Sequence, residues 1–135
     1  MPSFGEKSTE QLKTCHPDLQ LIFNAVVKSF DCSIMCGYRG YKEQMQAYNS
    51  KPQKSKLKYP DSKHNKIPSQ AVDVVPYPID WKNINRFYYF GGYVKRIAEE
   101  LNIKIKWGGD WDSDTLTDDQ TFMDLPHFEL DLTED

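Results

Sequence analysis

Gln70-Ala-Val-Asp-Val-Val75 is the stretch on which the fold turns. Its β-branched residues, closed by Pro76 and Pro78, predict a strand with Asp73 inside it. Working outward, Ile103-Lys-Ile-Lys-Trp107 alternates as a half-buried strand, and Phe128-Glu-Leu-Asp-Leu132 as another. Cys32-Ser-Ile-Met-Cys-Gly37 reads as a further strand leading into Tyr38-Arg39-Gly40. Helices are expected ahead of and between these strands. Ser8-Thr-Glu-Gln11 has capping-box spacing and opens a short helix through Leu12. His16-Pro17 starts a second, with Pro17 in the tolerated first turn and Leu19, Ile22, Phe23, Val26, Val27 and Phe30 forming its apolar face. A short helix follows from about Tyr41 to Tyr48, and a longer one from about Ile84 to Leu101, whose middle is weakened by Gly91-Gly92. This order predicts a single α+β domain over residues 1–135, with a small antiparallel or mixed sheet flanked by helices.

At 135 residues the chain is long enough to build a core without disulfide staples. Cys15, Cys32 and Cys36 are odd in number and lack Cys-x-x-Cys spacing, so free thiols are expected. Cys32 and Cys36 share strand parity and are expected to face the core together. A formal net charge of −3 gives no basic field for nucleic acid, and no segment approaches membrane-span length. Residues 50–70 are polar, punctuated by Pro52, Pro60 and Pro68, and predict a long loop. Lys51, Lys54, Lys56, Lys58, Lys63 and Lys66 gather there, as a solvated loop or as an attraction for an anionic polymer.

Two of the chain's three histidines stand beside carboxylates, in Ser62-Lys-His64 and in Asp124-Leu-Pro-His-Phe-Glu-Leu130. An acid within an apolar strand needs a partner, because an unpaired buried carboxylate is costly. For Asp73 a metal ion is one such partner and a salt bridge is the other. Two imidazoles and a carboxylate from separate segments, with another acid nearby, are the constituents of an open catalytic zinc site. His16, at a helix start, reads instead as structural. Asp110, Asp112, Asp114 and Asp118 imitate the first half of a calcium loop. Thr115 and Thr121 stand where its glycine and glutamate belong, so a solvated acidic turn is the alternative to calcium. Trp81, Trp107 and Trp111 read as core or cleft-wall aromatics.

Taken together, Ser-x-His, Ala-Val-Asp, Gly-Gly-Asp-Trp and Asp-x-x-His-x-Glu, in that order, resemble the zinc peptidases that cut bacterial cell-wall peptides. That family includes D-alanyl-D-alanine carboxypeptidases, vancomycin-resistance dipeptidases and phage endolysins of the L-alanyl-D-glutamate endopeptidase type. The resemblance is nearest to the last branch and runs from Ser8-x-x-Gln-Leu12 and His16-Pro17 through Gly37-Tyr-Arg39 to His127-Phe-Glu-Leu130. It implies one zinc held by His64, Asp73 and His127 in a cleft, Asp124 as the acid that activates water, and Arg39 as a cation for oxyanion or substrate carboxylate. Glu129, at strand parity with His127, either orients a ligand imidazole or is a plain strand-face acid. One departure stands out: the family often spaces its first histidine and its aspartate more closely, with an intervening glycine. Here the step from His64 to Asp73 is nine residues, and Asn65-Lys-Ile-Pro-Ser-Gln70 has no glycine.

The resemblance further implies a peptidoglycan stem peptide as partner, no stable membrane insertion, a monomer, and catalysis without a separate wall-binding domain. Met1-Pro-Ser-Phe-Gly-Glu-Lys7 lacks the apolar run of a secretion signal. Synthesis in a host cytoplasm, with another factor giving access to the wall, is the corresponding expectation. A D-alanyl-D-alanine dipeptidase or carboxypeptidase, and a non-catalytic wall-binding module of the same fold, are the rival expectations.

Overall fold

A computed structural model describes residues 2–118 and 123–132. Among them the chain runs α1 (Glu6–Lys13), α2 (Pro17–Val26), β1 (Cys32–Cys36), α3 (Tyr41–Asn49), a 3-10 turn (Lys63–Asn65), β2 (Ala71–Pro76), α4 (Ile84–Glu100), β3 (Ile105–Gly108) and β4 (Asp124–Leu130). The four strands form one sheet in the order β1-β2-β4-β3, antiparallel at every pairing, which resolves the antiparallel-or-mixed expectation. The α+β prediction stands.

Strand alternation sorts the sheet into two faces. Val72 and Val74 of β2 and Phe128 and Leu130 of β4 enter the core beneath α2 and α4. Phe128 sits at its centre, edge-on to Phe23 and Phe90 and stacked with Trp107. The intervening residues Asp73, His127 and Glu129 therefore fall on the opposite face. The register sets Asp73 directly across from His127, making them cross-strand neighbours on that face.

Several local expectations are corrected. Helix α1 begins at Glu6 behind Gly5, and Ser8 and Gln11 do not form a capping box. Ser8 Oγ accepts from Ile34 N, Gln11 Oε1 from Gly37 N and Thr14 Oγ1 from Tyr38 N. Residues three apart on one helix face thus satisfy the N–H groups at the edge strand β1 and its exit. That docking is close enough that a Cβ on Gly37 would lie 2.3 Å from Thr14 Oγ1 and 2.5 Å from the Gln11 carbonyl oxygen.

The parity of Cys32 and Cys36 is also broken. Ile34 pairs with Val74 and Cys36 with Asp73, so Met35 is an extra residue in β1. Cys32 is buried, whereas Cys36 is only half-buried and Met35 turns outward. All three cysteines are free thiols.

The last strand begins at Asp124, four residues earlier than its apolar alternation suggests, and stops at Leu130. Trp107 pairs with Phe128 but Gly108 pairs with Asp124, so Leu125-Pro126-His127 is an irregular excursion opposite β3. Trp107 Nε1 donates to the Leu125 carbonyl at 2.8 Å and secures it. Helix α4 runs uninterrupted through Gly91-Gly92. Gly91 is required by packing, since its Cβ would lie 2.1 Å from the Trp107 ring.

Candidate active site

Four segments converge on the polar face of the sheet. Strand β2 contributes Asp73, β4 contributes His127 and Glu129 along with Asp124 at its start, the 3-10 turn contributes His64, and the β1–α3 connection contributes Arg39. The turn carrying His64 is built locally: Ser62 Oγ accepts from His64 N, and Asn65 Oδ1 accepts from Ser62 N. One oxygen of Asp73, Oδ1, lies 3.2 Å from His64 Nε2 and 3.2 Å from His127 Nδ1. His64, Asp73 and His127 each present one donor atom, and the three atoms lie within 4.8 Å of one another.

The remaining heteroatom of each residue is already committed. His64 Nδ1 donates to the Gly37 carbonyl at 2.7 Å, which leaves Nε2 toward the cluster. His127 Nε2 meets Glu129 Oε1 at 2.8 Å, which leaves Nδ1 inward. Asp73 Oδ2 accepts from Arg39 Nη2 at 3.1 Å, which leaves Oδ1 inward. Glu129 is in turn held by Lys63 Nζ at 3.0 Å, so the residue next to His64 braces the carboxylate that orients His127. In their neutral forms, held in these tautomers, the two imidazoles would turn a lone pair each toward the cluster beside one Asp73 oxygen, the three donor atoms lying within 4.8 Å of one another. The donor set suits a metal cation.

The charges around the cluster respond strongly to one another. Burial opposes protonation of His64 and His127, yet Asp73, and for His127 also Glu129 and Asp124, raise them to about 8 and about 10. Against the opposing effect of burial, the imidazoles of His64 and His127 hold Asp73 ionised well below the usual carboxylate range. Glu129 is likewise lowered against the opposing effect of burial, by His127 and Lys63. Asp124 behaves differently. Burial, then the charge of Asp73, pushes it up to about 6, and its Oδ2 lies 4.0 Å from His127 Nδ1.

All five residues singled out from sequence, His64, Asp73, His127, Asp124 and Arg39, meet in one place. Arg39 is tied more closely than its expected role facing substrate: besides Asp73 it donates to Gln44 Oε1 at 3.2 Å. Sequence reasoning missed Gln44 and Asn65. Gln44 is fully buried and donates to Ser55 Oγ and the Leu57 carbonyl, while Asn65 Nδ2 donates to Gln44 Oε1 and the Arg39 carbonyl. Only tertiary structure shows that these amides join the long loop, Arg39 and the His64 turn. Glu129 proves to be the imidazole-orienting acid. Trp111 lies 5.4 Å from the His127 ring, Trp107 is core, and Trp81 is a cleft wall. His16 caps α2, its Nδ1 accepting from Asp18 N.

Two cavities flank the cluster and share Arg39, Lys54 and Asp124. Joined at these residues, one cavity is lined by His64 and His127 and the other by Asp73. A match to the family described as phage L-alanyl-D-glutamate peptidase extends over residues 2–131. The chain belongs to that family.

Relatives of this peptidase agree with the match. It is 32% identical over 115 residues to the L-alanyl-D-glutamate peptidase of Escherichia phage T5, covering 82% of each chain. Its fold matches the crystal structure of the Serratia marcescens L-Ala D-Glu endopeptidase ChiX with a TM-score of 0.70. That match is at 26% identity and covers 96% of this chain and 91% of the other. The long His64–Asp73 interval of the peptidase is accommodated outside the site. Ser69 is buried and donates from its N to the Thr14 carbonyl, and Gln70 N donates to the Lys63 carbonyl. Lys66-Ile67-Pro68 projects between these ties, with Ile67 82% exposed.

Asp110, Asp112 and Asp114 also come together, each with an oxygen within 4.8 Å of the others. The Asp110 carboxylate accepts from Asp114 N and Thr115 N, as an acidic turn requires. Thr121, at the glutamate position of the calcium-like segment, lies outside the described residues. No helix among the described residues is long and apolar enough to cross a membrane.

Proposed function

We propose that the chain is a zinc-dependent endopeptidase acting as one catalytic domain on the L-alanyl-D-glutamate bond of the peptidoglycan stem peptide. The observation that carries the reading is the pair of cavities that abut at the His64–Asp73–His127 cluster, which we read as the two arms of one substrate groove. A substrate cut within its length needs room on both sides, whereas a dipeptidase or carboxypeptidase needs an end wall to capture a terminal carboxylate. The phage T5 and Serratia relatives, named for the same bond, support the assignment.

His64 Nε2, Asp73 Oδ1 and His127 Nδ1 are the proposed zinc ligands. Zinc bound tetrahedrally at ~2.0–2.1 Å sets neighbouring donors about 3.3 Å apart. The two separations of 3.2 Å fit that figure. When bound, zinc supplies Lewis acidity toward a carbonyl and acidifies water. Asp124, raised to about 6, is suited to take a proton from attacking water near neutrality and return it to the leaving amine. Arg39 fixes Asp73 and contributes positive charge where the two arms of the groove meet.

Digestion of purified peptidoglycan, with products sequenced by mass spectrometry, tests the reading. New D-glutamate amino termini are expected, and they should vanish with a strong chelator and return with zinc. Release of terminal D-alanine alone would assign the chain to the carboxypeptidase side; no cleavage at any metal load would favour a wall-binding module.

A further inference from the structure

The groove's two arms differ in chemistry. One is walled by the long loop and brings Lys54, Lys56 and Lys63 against Asp61 and Glu129. The other is lined by Met35, Trp81, Ile84, Phe87 and Met123, and among the described residues its charged side chains are Arg39, Lys54, Asp73 and Asp124. Trp81 is 57% exposed and stacks on Phe87 with ring centroids 5.6 Å apart. Met35 is the extra residue of β1, and it is 47% exposed. An exposed apolar face continuous with a reaction site marks a ligand surface.

The substrate has a matching asymmetry. On the glutamate side of an L-alanyl-D-glutamate bond lies the carboxylate that the peptide linkage leaves free. On the alanine side a stem peptide continues through a neutral amide to its glycan, whose pyranose rings present C–H faces. We propose that the Trp81 arm is a saccharide subsite and that the lysine arm receives the glutamate side, which fixes the direction of the substrate in the groove. This rests on the endopeptidase reading above. Trp81, supported from behind by Phe87, stacks on the sugar next to the stem, and Met35 and Met123 adapt to its edges.

The test compares two substrates that share the scissile bond: a disaccharide-linked tripeptide and the same tripeptide with an N-acetyl cap in place of the glycan. Wild type should show a higher kcat/KM on the glycan-bearing substrate. In Trp81→Ala the ratio of the two values should fall about tenfold, the scale of one lost aromatic contact face. Trp81→Phe should restore part of it, showing that the ring rather than folding is responsible. Lys56→Glu should lower kcat/KM on both substrates and leave their ratio intact, with the loss relieved when the free glutamate carboxylate is amidated. An unchanged ratio in Trp81→Ala overturns the saccharide subsite. A Lys56→Glu loss confined to the glycan-bearing substrate overturns the direction. If wild-type protein loaded with zinc cleaves neither substrate, the endopeptidase reading itself fails.

Discussion

At the scale of single residues, the proposed site separates side chains suited to hold a cation from one suited to handle a proton. Asp124 is close to His127, but its carboxylate is the one that burial and Asp73 raise. Asp124→Asn should keep full metal content and lose roughly 10²–10⁴-fold in turnover. A cation among the ligands favours the charged carboxylate, so the acidic limb of the pH–rate profile should fall at or below about 6. Activity rises with pH through that limb as Asp124 loses its proton, and the limb should be missing from the Asn variant. Metal analysis beside a pH–rate profile decides the matter; full metal with normal turnover removes Asp124 from the chemistry. Arg39 makes a different prediction. Its guanidinium points separate nitrogens at Asp73 and Gln44, a fixed planar fork that the point ammonium of lysine does not reproduce, so Arg39→Lys should weaken zinc binding by about 10–100-fold. Competition with a chromophoric chelator measures it, and unaltered affinity would return Arg39 to the substrate alone.

At the scale of elements, packing constraints fall on positions that look permissive. Gly91 lies in the middle of α4, where alanine ordinarily strengthens a helix. Here its Cβ would enter the buried Trp107 ring, so Gly91→Ala should destabilise by about 1–3 kcal/mol and lower Tm by several degrees. A variant as stable as wild type by thermal melting would show that Trp107 can give way. The same contrast explains what the sequence disclosed. Strand β2 and the apolar face of α2 were legible because periodicity reports burial directly. Strand β4 was legible only in its second half, since Asp124-Leu-Pro-His127 departs from alternation and is held by Trp107 Nε1 and the Gly108 pairing. Ser8 and Gln11 carried the spacing of a cap, but their hydrogen bonds go to β1, a long-range use no local pattern distinguishes. The His64–Asp73–His127 trio was legible through resemblance more than spacing. Gln44 was not legible at all, because a glutamine on a polar helix gives no sign that it will be fully buried.

For the whole molecule, the proposed metal would compete with protons for the same two imidazoles. Without metal, His64 and His127 bind protons more tightly folded than unfolded, being raised to about 8 and about 10. The stability they contribute is complete below about pH 6.5 and drains away as pH climbs through those values. The raised carboxyl of Asp124 does its titrating below that window. Metal-free protein should therefore melt at a lower temperature at pH 9 than at pH 6.5. Zinc-loaded protein should change in the opposite sense over pH 6.5 to 8, because the ligands must be deprotonated and binding to the folded state adds stability. Thermal melts across pH, with and without zinc, provide the check; parallel slopes would mean that these imidazoles are not the metal's ligands.

The projecting Lys66-Ile67-Pro68 segment bears on how such enzymes diverge. Ser69 and Gln70 close the interval through backbone hydrogen bonds to Thr14 and Lys63, so the number of residues between the ties is free to drift while His64 and Asp73 stay put. A search pattern that demands a set count from histidine to aspartate would pass over homologues of this kind. The same freedom makes the protrusion a place to graft a peptide or a fluorophore without disturbing the chemistry a few residues away.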